Sequence, residues 1–324
     1  MQREMIARAK ELLTDGTVNR VVGWKRGEFA YDVTPAVFTS GEELDAGFVF
    51  DDFCGHNLSK YMIQESRKEG KALVFLKPCD TYSFNQLLKE HRILRENVYI
   101  IGIPCQGMAD ANRIKAKGID GILEIESNGN QLVIHTLYGD ETINREDALE
   151  ERCTVCKSKK HVIYDELMGE EGEANPQCGR FDKVAQLEAM SPEERYAFWR
   201  QELSRCIRCN ACRNVCPACS CEKCVFDNPA SGVENKAAAD SFEESMFHII
   251  RAFHVAGRCT DCGECSRVCP QQIPLHLLNR KFIKDINELY GEFQAGEDTQ
   301  TPCPLTNYTV DDAEPSVVYE RGGK

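Results

Sequence analysis

Cys206, Cys209, Cys212 and Cys216-Pro217 stand at x2, x2 and x3 spacing, and the pattern returns at Cys259, Cys262, Cys265 and Cys269-Pro270. Three thiolates at x2 spacing wrap one corner of an iron–sulfur cube, and the cysteine before proline reaches across to the other cube of a two-cluster ferredoxin. One 4Fe-4S cluster is therefore expected on Cys206, Cys209, Cys212 and Cys269, and a second on Cys259, Cys262, Cys265 and Cys216. Two zinc ribbons are the bland alternative, but zinc favours two separated pairs over three x2-spaced thiols plus Cys-Pro.

Five further cysteines need homes. Cys153-x2-Cys156 lies upstream, and Cys219, Cys221 and Cys224 follow the first motif at once. Four of these five are expected to hold a third metal centre, with Cys153, Cys156, Cys221 and Cys224 preferred, and Cys219 or Cys178 as substitutes. Two CxxC-like pairs suit a third 4Fe-4S cluster or zinc. Cys178 and Cys303 are expected to be unliganded. His248 and His254 share a core-like helix and read as packing or surface residues rather than ligands. No GxGxxG follows a strand, and no Walker A motif or nucleophile elbow is present.

A second signal lies at two strand ends. Lys77-Pro78-Cys79-Asp80 follows one apolar run, and Pro104-Cys105-Gln106 follows another. Ligands of open parallel sheets bind at those carboxyl ends, beside helix N-termini, although a small apolar thiol also packs well at a tight turn. Phe48–Phe50 leading into Cys54 is a possible third instance.

The elements that must hold these residues divide near position 150. The chain has 324 residues, 18 of them cysteine, and a net charge of −13. That charge argues against nucleic-acid or anionic-membrane partners. No apolar run reaches the roughly 18 residues of a membrane span. The start MQREMIARAKELL carries no apolar signal core, so a cytoplasmic location is expected, where thiols stay reduced and bind metal. Residues 1–150 read as an α/β domain: a helix over 3–14, short strands at 19–24 and 29–33, and a parallel βαβ unit of Ala72–Leu76, a helix from about Tyr82, and Val98–Ile103. Asn128-Gly129 predicts a hairpin and an antiparallel edge. Residues 151–292 read as a mostly helical, ferredoxin-like iron–sulfur domain. Its helices include one opened by Ser191, Pro192 and Glu194, one over 242–256, and one over 274–290. Residues 293–324 read as an extended acidic tail.

With these motifs in hand, the chain resembles the beta-subunit family of deazaflavin (coenzyme F420)-reducing hydrogenases and formate dehydrogenases. The strand-GIPCQ segment (102–106), the KPCD turn (77–80) and the run from 191 to 281 resemble a bacterial branch with a C-terminal double-cluster ferredoxin. The resemblance implies an electron-transfer subunit of an anaerobic redox complex. Its partners would be subunits of a hydrogenase, formate dehydrogenase or heterodisulfide-reductase-like enzyme. The α/β domain would hold FAD near Pro104, Cys105 and Gln106 and the turn Lys77, Pro78, Cys79 and Asp80. Electrons would pass between a partner's cofactors and that flavin. The alternative is that the chain itself is a flavin-dependent oxidoreductase of a deazaflavin or nicotinamide carrier.

Overall fold

The computed structural model describes residues 1–175, 177–227 and 241–306. The chain opens with α1 (Gln2–Thr14), which buries Met5, Ala9 and Leu12. Two strands follow, β1 (Arg20–Arg26) and β2 (Val33–Phe38), the second beginning later than the sequence suggests. β3 (Ala72–Leu76) is buried at every position, as its continuous apolar run requires. The next helix, α2 (Pro78–Lys89), starts four residues earlier than periodicity predicts. Pro78 fixes its first turn, and Asp80 Oδ2 accepts the Lys77 backbone N–H at 3.3 Å. β4 (Val98–Gly102) completes the parallel unit, in register from Ala72↔Val98 to Leu76↔Gly102.

The hairpin at Asn128-Gly129 forms, but not at the edge of this sheet. β5 (Ile122–Asn128), β6 (Gln131–Thr136) and β7 (Gly139–Asn144) make a separate three-stranded antiparallel sheet. β8 (Glu166–Leu167), although past residue 150, pairs in parallel with β4. The main sheet is therefore mixed, in the order β2-β1-β3-β4-β8, and β2 supplies its antiparallel edge.

Among the described residues the cysteine-rich region carries four longer helices: α3 (Asp182–Ala189), α4 (Pro192–Leu203), α5 (Ser241–His254) and α6 (Leu275–Tyr290). Leu203, Phe226, Phe247, Ile273 and Leu275 form a second core around Cys212 and Cys265. Partly buried polar contacts join the two regions. Ser83 and Thr260 hydroxyls meet at 2.8 Å, and Arg258 pairs with Glu90 at 2.6 Å. Residues 293–306 turn back onto the body of the chain, with Gln294, Ala295 and Cys303 buried. The rest of the segment expected as a tail, 307–324, lies outside the described residues.

Candidate metal centres

The two ligand loops share one backbone path. Arg208 and Asn210 in the first motif have φ values of 54° and 61°, and Asp261 and Gly263 at the matching positions of the second have 61° and 66°. Three of the four are not glycine, and left-handed backbone there costs on the order of 1–2 kcal/mol per residue. Such strain persists where the surroundings impose it. Each loop then enters a single helical turn, Ala211–Asn214 or Glu264–Arg267.

The thiols of the two loops fall into two neighbourhoods. Cys206, Cys209, Cys212 and Cys269 line one cavity. Cys216 does not line it, and its charge acts on Cys259, Cys262 and Cys265 of the other loop as well as on Cys212. Burial pushes the Cys206 thiol up to about 12 and Cys265 up to about 11, so each would need a metal's charge to release its proton. The Cys219 thiol donates to Cys216, which holds Cys216 below the usual thiol value. His248, expected to be a packing residue, is buried with Nε2 3.2 Å from Cys206 Sγ. Cys206, Glu244 and His248 have their ligand atoms within 4.8 Å of one another. His254 is exposed.

The α/β half contributes a third group. Cys79 and Cys105 each lie three residues beyond a strand end, and those ends, Leu76 and Gly102, are register partners in the parallel pair. The sheet therefore carries both cysteines to one place. Cys153 and Cys156 meet them there, and all four line a cavity of about 70 Å³. Cys221 and Cys224, preferred from spacing as partners of Cys153 and Cys156, do not line it: Cys221 is exposed, and Cys224 lies near Arg213. Cys219 stays beside Cys216.

The surroundings of the four thiols are cationic. Burial works against charge on Lys77 and Lys159, yet the thiols around them (with Asp80, for Lys77) keep both above the usual lysine value. Lys77 Nζ is 3.0 Å from Asp80 and donates to the carbonyls of Cys54 and His56 at 3.1 and 2.8 Å. Burial raises Cys79, Cys105 and Cys153, the last to about 12. His161 donates from Nε2 to the carbonyls of Leu76 and Ile103 at 3.2 and 3.1 Å, tying the two strand ends together. No motif in the sequence marks His161, Lys159 or Arg152 as part of this group. Cys54 is buried elsewhere, its Sγ accepting from Asp51 N–H at 3.3 Å.

Residues 202–273 match the 4Fe-4S dicluster domain family. Over 358 residues the chain is 25% identical to the F420-dependent formate dehydrogenase subunit beta of Methanocaldococcus jannaschii, covering 92% of each protein. The chain is therefore similar, along nearly its whole length, to a beta subunit of that enzyme. The F420-dependent formate dehydrogenase 1 subunit beta of Methanococcus maripaludis is likewise 25% identical, with 91% of each chain covered. A chain of the F420-reducing [NiFe] hydrogenase complex from Methanosarcina barkeri aligns at a TM-score of 0.39 and 13% identity, over 63% of this chain and 86% of that one. The similarity to the dehydrogenase subunits spans both the α/β sheet and the dicluster region. Among the described residues no helix is long and apolar enough to cross a membrane.

Proposed function

We propose that the chain is the iron–sulfur electron-transfer beta subunit of a cytoplasmic F420-linked redox complex. Its iron–sulfur region, mostly helical and ferredoxin-like, would use Cys206, Cys209, Cys212 and Cys269 for one cube and Cys259, Cys262, Cys265 and Cys216 for the next. Cys79, Cys105, Cys153 and Cys156 would hold a third. Four converging thiols among buried lysines and arginines fit an anionic cube, and a closed all-cysteine set would also accept zinc.

A single observation carries the relay. Cys262 lines the same cavity as the four α/β cysteines, so the inner ferredoxin-type site adjoins the third. The outer site carries the exposed Cys209. Electrons would therefore move in single file between the α/β half and the surface at Cys209, where a partner subunit docks. When bound, the cubes supply one-electron transfer and a flavin exchanges electron pairs for single electrons.

The resemblance puts a flavin at Lys77, Pro78, Cys79, Asp80, Pro104, Cys105 and Gln106, of which Lys77, Cys79 and Cys105 line the four-thiol cavity. The cavity there is far below the 300–1,000 Å³ that organic cofactors occupy. A cleft of about 810 Å³ between the two regions has the room, with Tyr31 and Phe53 on one side and Arg267 and Gln272 on the other. That cleft favours a second reading, in which the chain itself reduces a deazaflavin or nicotinamide carrier.

The test is anaerobic purification of the full chain, with iron, sulfide, zinc and flavin measured on one sample. About twelve irons are expected, falling to about eight in Cys105→Ser and in Cys153→Ser. About eight irons in the unmodified chain would remove the third cube. One flavin per chain, with carrier-dependent dye reduction, would favour the second reading.

A further inference from the structure

Arg251, on α5, is 2% exposed. Nε, Nη1 and Nη2 find no oxygen or nitrogen acceptor among the described residues, and the guanidinium meets the Cys265 thiol instead. A guanidinium stays protonated in proteins, and an isolated buried charge is strongly unfavourable. Its counter-charge must therefore be found nearby. Arg280, on the neighbouring helix α6, finds a carboxylate, Asp261 at 2.7 Å. The charges that act most on Arg251 are instead four thiols, Cys265, Cys212, Cys216 and Cys219 in that order. Cys212 belongs to the outer ligand set, and Cys265 and Cys216 to the inner one.

We propose that Arg251 is the shared counter-charge of the two dicluster cubes, a positioning residue that raises the reduction potentials of both. The proposal rests on the crossed ligand sets given above. Four thiolates around an oxidised cube core leave a net charge of about −2, and reduction adds one more negative charge. A fixed cation close to both sets favours the reduced state of each, and in a water-poor site little screens it. α5 lies between the two cysteine motifs and supplies none of their thiols, so nothing in the ligand spacing calls for an arginine there. His248, one turn earlier on the same helix, is aimed at Cys206. This face of α5 thus meets the thiolates at two points, whereas Phe242, Ile249 and Phe253 are exposed.

The experiment compares the full chain with Arg251→Gln and Arg251→Lys by anaerobic redox titration monitored by EPR, with iron measured on every sample. Arg251→Gln is expected to keep its iron and to move both dicluster signals to lower potential. Arg251→Lys keeps the charge and is expected to lie nearer the unmodified protein. The α/β centre serves as internal control, since none of its cysteines is among the principal charges acting on Arg251. Unchanged potentials in Arg251→Gln would overturn the proposal while leaving the cluster assignment intact. If Arg251→Gln loses iron and Arg251→Lys retains it, the charge is still required. Equal iron loss from both variants would assign Arg251 to packing and overturn the counter-charge role. An unmodified chain without two cubes would instead sink the reading beneath it.

Discussion

Arg152 Nη1 donates a 2.6 Å hydrogen bond to the main-chain carbonyl of Cys262. Arg152 directly precedes Cys153 of the α/β cysteine group, and Cys262 belongs to the inner ferredoxin-type loop. The same guanidinium pairs with Glu150 and Glu264 and donates to the Gly55 carbonyl at 2.7 Å. Gly263 presses on its stem, where any side chain at that position would meet Arg152. One buried arginine therefore fixes the distance between two candidate centres.

Replacing Arg152 removes the cation from two buried carboxylates. Arg152→Met is expected to cost on the order of 3–5 kcal/mol, because a buried charge left without its partner is more costly than the pair. Glu150→Gln added to it should recover part of the loss, while Glu264 keeps Arg267 at 2.8 Å. Anaerobic urea unfolding measures both. A loss below about 1 kcal/mol would mean that Arg152 does not hold the two regions together.

His56 gives the protein a pH dependence near neutrality. Burial is the main cause that lowers its pKa to about 3, and Arg267, Lys77 and Arg152 add to it against the opposing Glu264. An unfolded histidine titrates near 6.5, so between about pH 6.5 and 3 the unfolded chain binds a proton that the folded chain refuses. The stability is whole above pH 6.5 and falls as the pH drops through that window. The loss should be about 1 kcal/mol between pH 6.5 and 5.5. Unfolding curves at pH 8, 6.5 and 5.5 should separate less in His56→Gln. Identical pH dependence in the two proteins would remove His56 as the source.

How much of this was readable depends on whether the information is local. β3 (Ala72–Leu76) was legible residue for residue because a strand buried on both faces needs an unbroken apolar run. The start of α4 was legible in Ser191 and Glu194, whose side chains each accept the other's backbone N–H, at 3.2 and 2.9 Å. The third cysteine group was not legible in the same way. Spacing pairs Cys153 and Cys156 with the next cysteines along the chain, whereas Cys79 and Cys105 are brought to them by the parallel register of β3 and β4. The repeated Pro-Cys at two strand ends was the visible trace of that arrangement, and only the register turns it into a site. Arg251 left no trace, since nothing local distinguishes a buried arginine on an amphipathic helix from an exposed one.

Cys221 and Cys224 offer a direct check on that third group. Both sit outside the four-thiol cavity. Cys221→Ser and Cys224→Ser are expected to keep the full iron content, and Cys221, being exposed, should react with iodoacetamide in the folded protein. Loss of about four irons from either variant would return these cysteines to the ligand set.

Gly296 holds a segment that reaches the α/β cavity through Gln294. Its φ is 75°, and a Cβ there would run into the Tyr82 carbonyl on α2. Two residues earlier, Gln294 lines the cavity, accepts from Arg180 at 3.0 Å and donates to the Thr260 carbonyl at 3.4 Å. Lys89 Nζ anchors the segment's far end at the Thr301 carbonyl, 2.6 Å away. In Gly296→Ala the left-handed backbone alone costs on the order of 1–2 kcal/mol, and the clash adds to it, so the segment should lift from α2. The expected readout is faster bleaching of the α/β centre in air, with the two dicluster signals decaying as before. A variant that bleaches at the unmodified rate would show that this segment does not shield the cavity from oxygen.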